Sequence, residues 1–539
     1  MTEANPTAGN RAIEIYDTTL RDGTQGEQVA FTVSEKLRVL DILDRLGIQF
    51  IEGGWPGANP RDSEFFRQAR KAALQKARLC AFGSTAHPAA KPEQDANLRA
   101  LLAAETEWVT IFGKSWTLHV ESALGITRDE NLRLIEASVR FLHQSGRRVI
   151  FDAEHFFDGY RADAEYGLQV LRAAESGGAT RLVLCDTNGG SMPDWLGGVV
   201  SQVRSTLPGI ELGIHTHDDC GLGAANALAA VRAGATQVQG TFNGWGERCG
   251  NASLCTLLPV LEFKLGYPTI GAEALRELTS AARQIAELAG LALHPRLPFV
   301  GQTAFAHKGG IHVSAVRKLP ASYEHLPPEA VGNVRRILVS DLAGRSNIQE
   351  KARELGWKNG LSAEAAARVT QTIKDWENQG YELEGADGTL ALLIEEAIGG
   401  AALPFQPLGF EVTSTLGQEK PLSRAQVRVA VKGREYRGEG ADTGPVAALD
   451  AALRQALIGH YPQLAEVELT DYKVRILEGS RGTRAQVRVR VESSIGTQSW
   501  ITVGVSENIL EASWKALIAS FACHLRPAAR GTKNSPRQN

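Results

Sequence analysis

Six cysteines in 539 residues is few, and no two of them stand in a Cys-x-x-Cys spacing. They are Cys80, Cys185, Cys220, Cys249, Cys255 and Cys523. That excludes the paired-thiol pattern of zinc ribbons and dithiol oxidoreductases. Several lie in apolar runs, as Cys185 does in Leu-Val-Leu-Cys, so buried free thiols in a reducing cytoplasm are expected. There is no basic excess either: 58 Lys and Arg face 61 Asp and Glu, a net charge of −3. The broad electrostatic footprint of a nucleic-acid binder is missing. No apolar run approaches the roughly 20 residues that cross a bilayer, so no membrane partner is expected. The opening MTEANPTAGNR has no apolar h-region, which argues against a signal peptide and for a cytoplasmic protein.

What is present is a repeating alternation. Eight β-rich runs occur at 12–17, 48–53, 78–83, 107–112, 148–153, 181–186, 211–217 and 236–242, with an amphipathic segment in each gap. The segment at 34–47, for example, has Leu37, Leu40, Ile42, Leu43 and Leu46 on one side. Eight βα units in about 250 residues predict a (β/α)₈ TIM barrel. A doubly wound sheet would expect a Gly-rich phosphate loop after the first strand, and none is there. Four parts are expected: a catalytic barrel at 1–271, a helical linker and lid region at 272–405, an α+β domain at 406–525, and a disordered tail at 526–539. Single helices are predicted at 272–290 and 362–380. In the third part RAQVRV occurs at 424–429 and again at 484–489, and each copy leads through a further β-rich run into an amphipathic helix, at 445–457 and 508–521. Two such units predict one pseudo-symmetric domain.

Barrel chemistry sits at the C-terminal ends of the strands, and those ends are polar here. Asp17-Thr18-Thr19-Leu20-Arg21-Asp22-Gly23 follows the first strand, His215-Thr216-His217-Asp218-Asp219 closes the seventh, and Asn243 to Asn251 follows the eighth. His215 and His217 are two apart on a strand, so both imidazoles point to one side and can chelate one ion. Asp22 can add a carboxylate and Asn251 an amide oxygen. Two imidazoles and two oxygens suit Mg²⁺ or Mn²⁺ and permit Zn²⁺. Arg21 can polarise a carbonyl or hold an enolate oxygen. Glu154, ending the fifth strand, can bind a metal-held water or move a proton. Thr187, after the sixth, can hold a substrate carboxylate. His307 and His312, in AFAHKGGIH, sit among glycines that suggest a mobile lid.

These motifs resemble the DRE-TIM metallolyase family: DTTLRDG, HTHDD and GERCGN stand in the right order and spacing. They are similar to its Claisen-condensing branch, which includes isopropylmalate, homocitrate and citramalate synthases. The C-terminal repeat resembles the regulatory domain of isopropylmalate synthases, so the likeness covers about residues 13 to 522. Within the branch, the runs at 51–62 and 331–348 resemble the longer bacterial citramalate synthases. The resemblance implies condensation of acetyl-CoA, as co-substrate, with a 2-oxo acid. The acid the resemblance implies is pyruvate, with 2-oxoisovalerate and the homocitrate reaction as alternatives. A retro-Claisen lyase, a carboxyltransferase or a non-catalytic sensor on the same barrel are the rivals. It further implies Asp22, His215, His217 and Asn251 as metal ligands, Arg21 on the keto-acid and enolate oxygens, Thr187 on the carboxylate and Glu154 near the thioester. His312 is implied as an acid/base delivered by the partner in a homodimer. No catalytic tyrosine carries over, because Val334-Arg335 stands near where isopropylmalate synthases have one. Isoleucine is the effector implied for the C-terminal domain. Gly53, Gly54 and Trp55, following the second strand, are expected to shape a pocket for a methyl group.

Overall fold

The computed structural model describes residues 11–526, apart from 341–342, 401–402, 416–421, 478–481, 483 and 497. The predicted tail beyond Arg526 therefore lies outside the described residues. Two compact units are present. The first runs to Phe305 and includes Leu326–Val334; the second holds Ala306–His325 and continues from Arg335.

In the first unit eight parallel strands close into a barrel: β1 (Glu14–Asp17), β2 (Phe50–Gly54), β3 (Arg78–Ser84), β4 (Trp108–Lys114), β5 (Arg148–Glu154), β6 (Arg181–Asp186), β7 (Glu211–Thr216) and β8 (Gln237–Gly240). All eight predicted runs became strands. The ends moved because pairing decides them: β1 begins only at Glu14, opposite Gln237 of β8. The interior below the mouth is filled by Tyr16, Phe50, Cys80, Trp108, Ile150 and Val183, so the barrel is a packed core.

The outer helices form for legible reasons. Val33–Leu46 starts on a reciprocal capping box between Thr32 and Glu35 and ends at Gly47 in the left-handed conformation. Its Val39, Leu40, Leu43 and Leu46 are buried against the barrel, each contributing about 1.5–3 kcal/mol before entropy is counted. The single helix expected at 272–290 is instead two, Ala272–Leu275 and Leu278–Leu288. A turn from the returning segment meets the break, where Thr279 Oγ1 donates to the Val331 carbonyl at 2.6 Å.

In the second unit a two-residue pair, β9 (Ala306–His307) and β10 (Arg336–Ile337), is followed by three helices. The repeat then appears as two copies of strand–strand–strand–helix, one strand more per copy than the sequence reading had. The first is β11 (Gln406–Thr415), β12 (Leu422–Val431), β13 (Arg434–Asp442) and the helix Pro445–Ile458. The second is β14 (Glu468–Ile476), β15 (Val487–Ile495), β16 (Gln498–Ser506) and the helix Ile509–Leu525. Both copies share one apolar core. The missed first strands, β11 and β14, lie at sheet edges and are mostly exposed, so they carry little apolar alternation. Among the described residues no helix is long and apolar enough to cross a membrane.

All six cysteines are free thiols. Four are buried as expected, but Cys220 and Cys249 are exposed. They stand in the polar loops after β7 and β8, where no apolar packing covers them.

Candidate active site

The loop after β1 is held to the loop after β8 by a short polar chain. The Asp17 carboxylate accepts from Thr19 N (3.0 Å) and Oγ1 (2.8 Å), and Thr19 Oγ1 accepts from the Phe242 amide at 2.8 Å. Burial raises Asp17 to about 7, against the pull of Thr19. This chain sets Arg21 and Asp22 at the mouth.

Arg21 is fixed on three sides. Its Nε donates to the fully buried Glu52 carboxylate, its Nη1 lies 3.3 Å from Asp22 Oδ2, and its guanidinium lies over the Phe82 ring at 3.7 Å. Tyr16 Oη completes the support of Glu52, donating at 2.8 Å. The sequence reading gave Glu52 no role. A carboxylate inside an otherwise apolar barrel strand was the available signal, since such a charge persists only when paired.

Asp22, His215 and His217 converge. Asp22 Oδ2 lies 3.3 Å from His215 Nε2 and 3.9 Å from His217 Nε2, and the two imidazole nitrogens are 3.3 Å apart. One ligand atom from each falls within 4.8 Å of the others. Burial works against the charge on Asp22, but the Arg21 guanidinium and His215 outweigh it and hold the carboxyl far below its usual range. Burial, with His215 beside it, lowers His217 to about 4. Asn251 pairs with His217 across an isolated bridge. Its Nδ2 donates to the Trp245 carbonyl at 3.2 Å. Asp22 Oδ1 and Asn251 Oδ1 are buried with no hydrogen-bond partner. Buried oxygens left bare beside two facing imidazole nitrogens are the donor set of a cation site, so the residues fit a divalent ion.

Beside this cluster is a cavity of about 190 Å³. Arg21, Glu154, Thr187 and both histidines line its polar side. Thr187 Oγ1 accepts from the His155 amide at 2.8 Å, which leaves its own hydrogen to donate. Glu154 is ion-paired with Lys114 at the end of β4, a partner the sequence reading missed. The apolar side is a set of three rings. Trp55 meets Phe82 and Phe112 edge-on at 5.7 and 5.6 Å, and the two phenyl rings stack at 5.6 Å. Trp55 is locked by its Nε1, donating to Asn97 Oδ1 at 2.7 Å, and by its amide, donating to Asp62 Oδ2 at 2.9 Å.

Of the segment after β2, Trp55 lines the cavity and the glycines, Gly53 and Gly54, do not. A Cβ on Gly53 would strike Phe65 and Phe66, and Gly54 has φ +145° with Asp62 packed against it. Both let the helix Pro60–Ala69 approach the strand.

The two lid histidines separate. His307 Nε2 lies 3.1 Å from Glu324, which also binds Arg335. That makes His307 part of an ion-pair cluster. His312 is exposed on the helix Gly310–Lys318 of the second unit, its ring centroid 4.5 Å from that of Tyr323. Tyr323 had no place in the sequence reading.

Three family models match. The "HMGL-like" model covers residues 12–282, the "Homocitrate synthase post-HMGL domain-like" model 299–381, and the "LeuA allosteric (dimerisation) domain" model 384–523. Full-length relatives agree. An (R)-citramalate synthase of Synechocystis sp. is 49% identical over 96% of this chain and 97% of its own length. One of Geobacter sulfurreducens is 47% identical over 97% of this chain and 99% of its own. A probable 2-isopropylmalate synthase of Methanopyrus kandleri is 31% identical over 94% of this chain and 97% of its own. The chain belongs to the HMGL-like family and, within it, stands with the (R)-citramalate synthases.

Proposed function

We propose that this chain condenses acetyl-CoA with pyruvate and hydrolyses the thioester, releasing (R)-citramalate and CoA. The observation that carries the reading is the barrel mouth: three ion-ligating groups within 4.8 Å of one another, beside a small cavity with a wall of aromatic rings. End-to-end similarity to (R)-citramalate synthases points the same way.

Asp22, His215, His217 and the carbonyl oxygen of Asn251 would hold a divalent cation, Mg²⁺ or Mn²⁺ by donor type, with Zn²⁺ permitted. Such an ion supplies a Lewis acid when bound. Arg21, held by Glu52 and Phe82, aims a fixed positive charge at the keto oxygen of pyruvate, where negative charge grows as the new bond forms. Thr187 donates its hydroxyl hydrogen to the pyruvate carboxylate. Trp55, Phe82 and Phe112 face the pyruvate methyl group and oppose a branched chain.

A base takes one methyl proton from acetyl-CoA. The enolate carbon attacks C2 of pyruvate, and the keto oxygen takes up a proton to become the tertiary hydroxyl. Water then adds to the thioester carbonyl, the carbon–sulfur bond breaks, and the CoA sulfur takes a proton. Glu154 serves proton transfer beside the thioester. His312 serves it from the lid, delivered by a second copy of the chain. In this division of labour residues 1–271 carry the barrel-mouth groups, 272–405 the linker and the lid with His312, and 406–525 the response to isoleucine.

Incubation with acetyl-CoA, pyruvate and Mn²⁺, with the product identified by NMR, tests the reading. Citramalate formed in step with CoA release supports it. CoA release without a new carbon–carbon bond contradicts it.

A further inference from the structure

Gln239 is fully buried on β8 and touches none of the reacting groups proposed above. The strand register sets it directly beside His215 of β7. Its side chain spans two partners: Oε1 lies 3.0 Å from His215 Nδ1, and Nε2 lies 3.2 Å from Asp152 Oδ1. An amide has one donor end and one acceptor end. Nε2 donates to Asp152 Oδ1 on β5, which turns the acceptor oxygen Oε1 toward His215 Nδ1, and in that arrangement Nδ1 carries the hydrogen.

This decides what the other ring nitrogen can do. A neutral imidazole has one N–H, and placing it on Nδ1 leaves a lone pair on Nε2. Nε2 is the atom that faces Asp22 and His217. A flipped amide would present its N–H to Nδ1, force the hydrogen onto Nε2 and remove one ligand. His217 has no such anchor: its Nδ1 is buried without a partner.

We propose that Gln239, itself oriented by Asp152, is a positioning residue that fixes the tautomer and ring plane of His215 for cation binding. The inference rests on the cation site proposed above. Partners of this kind are typically worth about 10- to 100-fold in metal affinity. The test is Mn²⁺ binding to the full-length, chelator-treated protein, read by the EPR signal of free Mn²⁺. Gln239→Met keeps length and removes both bonds. It is expected to weaken Mn²⁺ binding by roughly 10-fold or more, with much of kcat recovered at saturating Mn²⁺. Gln237→Met, two residues away on the same strand, is the control for buried substitutions and is expected to leave Mn²⁺ affinity unchanged. Should Gln239→Met fail to fold, ¹⁵N spectra of the histidine rings in the unmodified, chelator-treated protein read the tautomer that Gln239 sets before any ion binds. Hydrogen on Nδ1 of His215 supports the assignment, and hydrogen on Nε2 overturns it. Equal Mn²⁺ affinity in Gln239→Met and the unmodified protein also overturns the role of Gln239. No Mn²⁺ binding by the unmodified protein overturns the cation site instead.

Discussion

Single side chains at the barrel mouth carry opposite electrostatic demands. Asp22 stays charged because Arg21 and His215 outweigh its burial. His215→Ala or His217→Ala removes an imidazole from the proposed cation site, whose ion would supply several kcal/mol. CoA release is expected to fall by roughly 10²-fold or more while circular dichroism stays unchanged. Near-normal release from either variant would contradict the site. Asp17 has the reverse balance. Burial raises it to about 7 from the ordinary 3.8, so the folded chain keeps a proton that the unfolded chain has already lost. The stabilisation is complete below about pH 4 and disappears as pH rises through 7. The thermal midpoint is therefore expected to fall between pH 6 and pH 8, and Asp17→Asn to reduce that slope. An unchanged slope would mean that Asp17 is not the group responsible. The metal-ligand candidates were legible from the sequence because their spacing is local to strand ends. Glu52, Asp152 and Gln239 were not, because each has its partners on other strands, and only barrel register brings them together.

Among the elements, the aromatic wall of the cavity is built by packing between β2, β3 and β4. Trp55 is held by Asp62 of the helix Pro60–Ala69, and Asp62 is ion-paired with buried Lys36 of the preceding helix. The glycines beside Trp55 serve this close approach. Gly53→Ala sets a methyl group against two rigid phenyl rings, and overpacking of that kind costs about 1–3 kcal/mol. A lower thermal midpoint is expected, and an unchanged one would contradict the packing. Phe112→Ala removes one ring of the wall. It should raise the ratio of kcat/KM for 2-oxoisovalerate to that for pyruvate by about 10-fold or more. An unmoved ratio would separate the wall from selectivity. The sequence made the strands visible through their apolar runs, and the (β/α)₈ closure followed from their count. Phe82 and Phe112 gave no such sign, since an aromatic residue at a strand end looks the same whether it fills the core or lines a cavity.

For the whole molecule, the strand–strand–strand–helix repeat lies in a second unit that contributes none of the barrel-mouth ligands. Its copies were visible through RAQVRV, which falls in or just before the central strand of each sheet. Isoleucine is expected to inhibit the full-length enzyme. Coupling of this kind shifts affinity by roughly 5- to 150-fold. Deleting residues from 406 onward should abolish the inhibition. It should also lower the thermal midpoint, because the helix Asp387–Ala397 packs on Ile509–Leu525 and would lose that cover. Inhibition that survives the deletion, or leucine acting in place of isoleucine, would contradict this arrangement. Pairing of acetyl-CoA with pyruvate at the barrel mouth is read out by kcat/KM for CoA release across a panel of 2-oxo acids with Mn²⁺ present. Pyruvate is expected to exceed 2-oxoisovalerate by roughly 10-fold or more. A preference for 2-oxoisovalerate would contradict it.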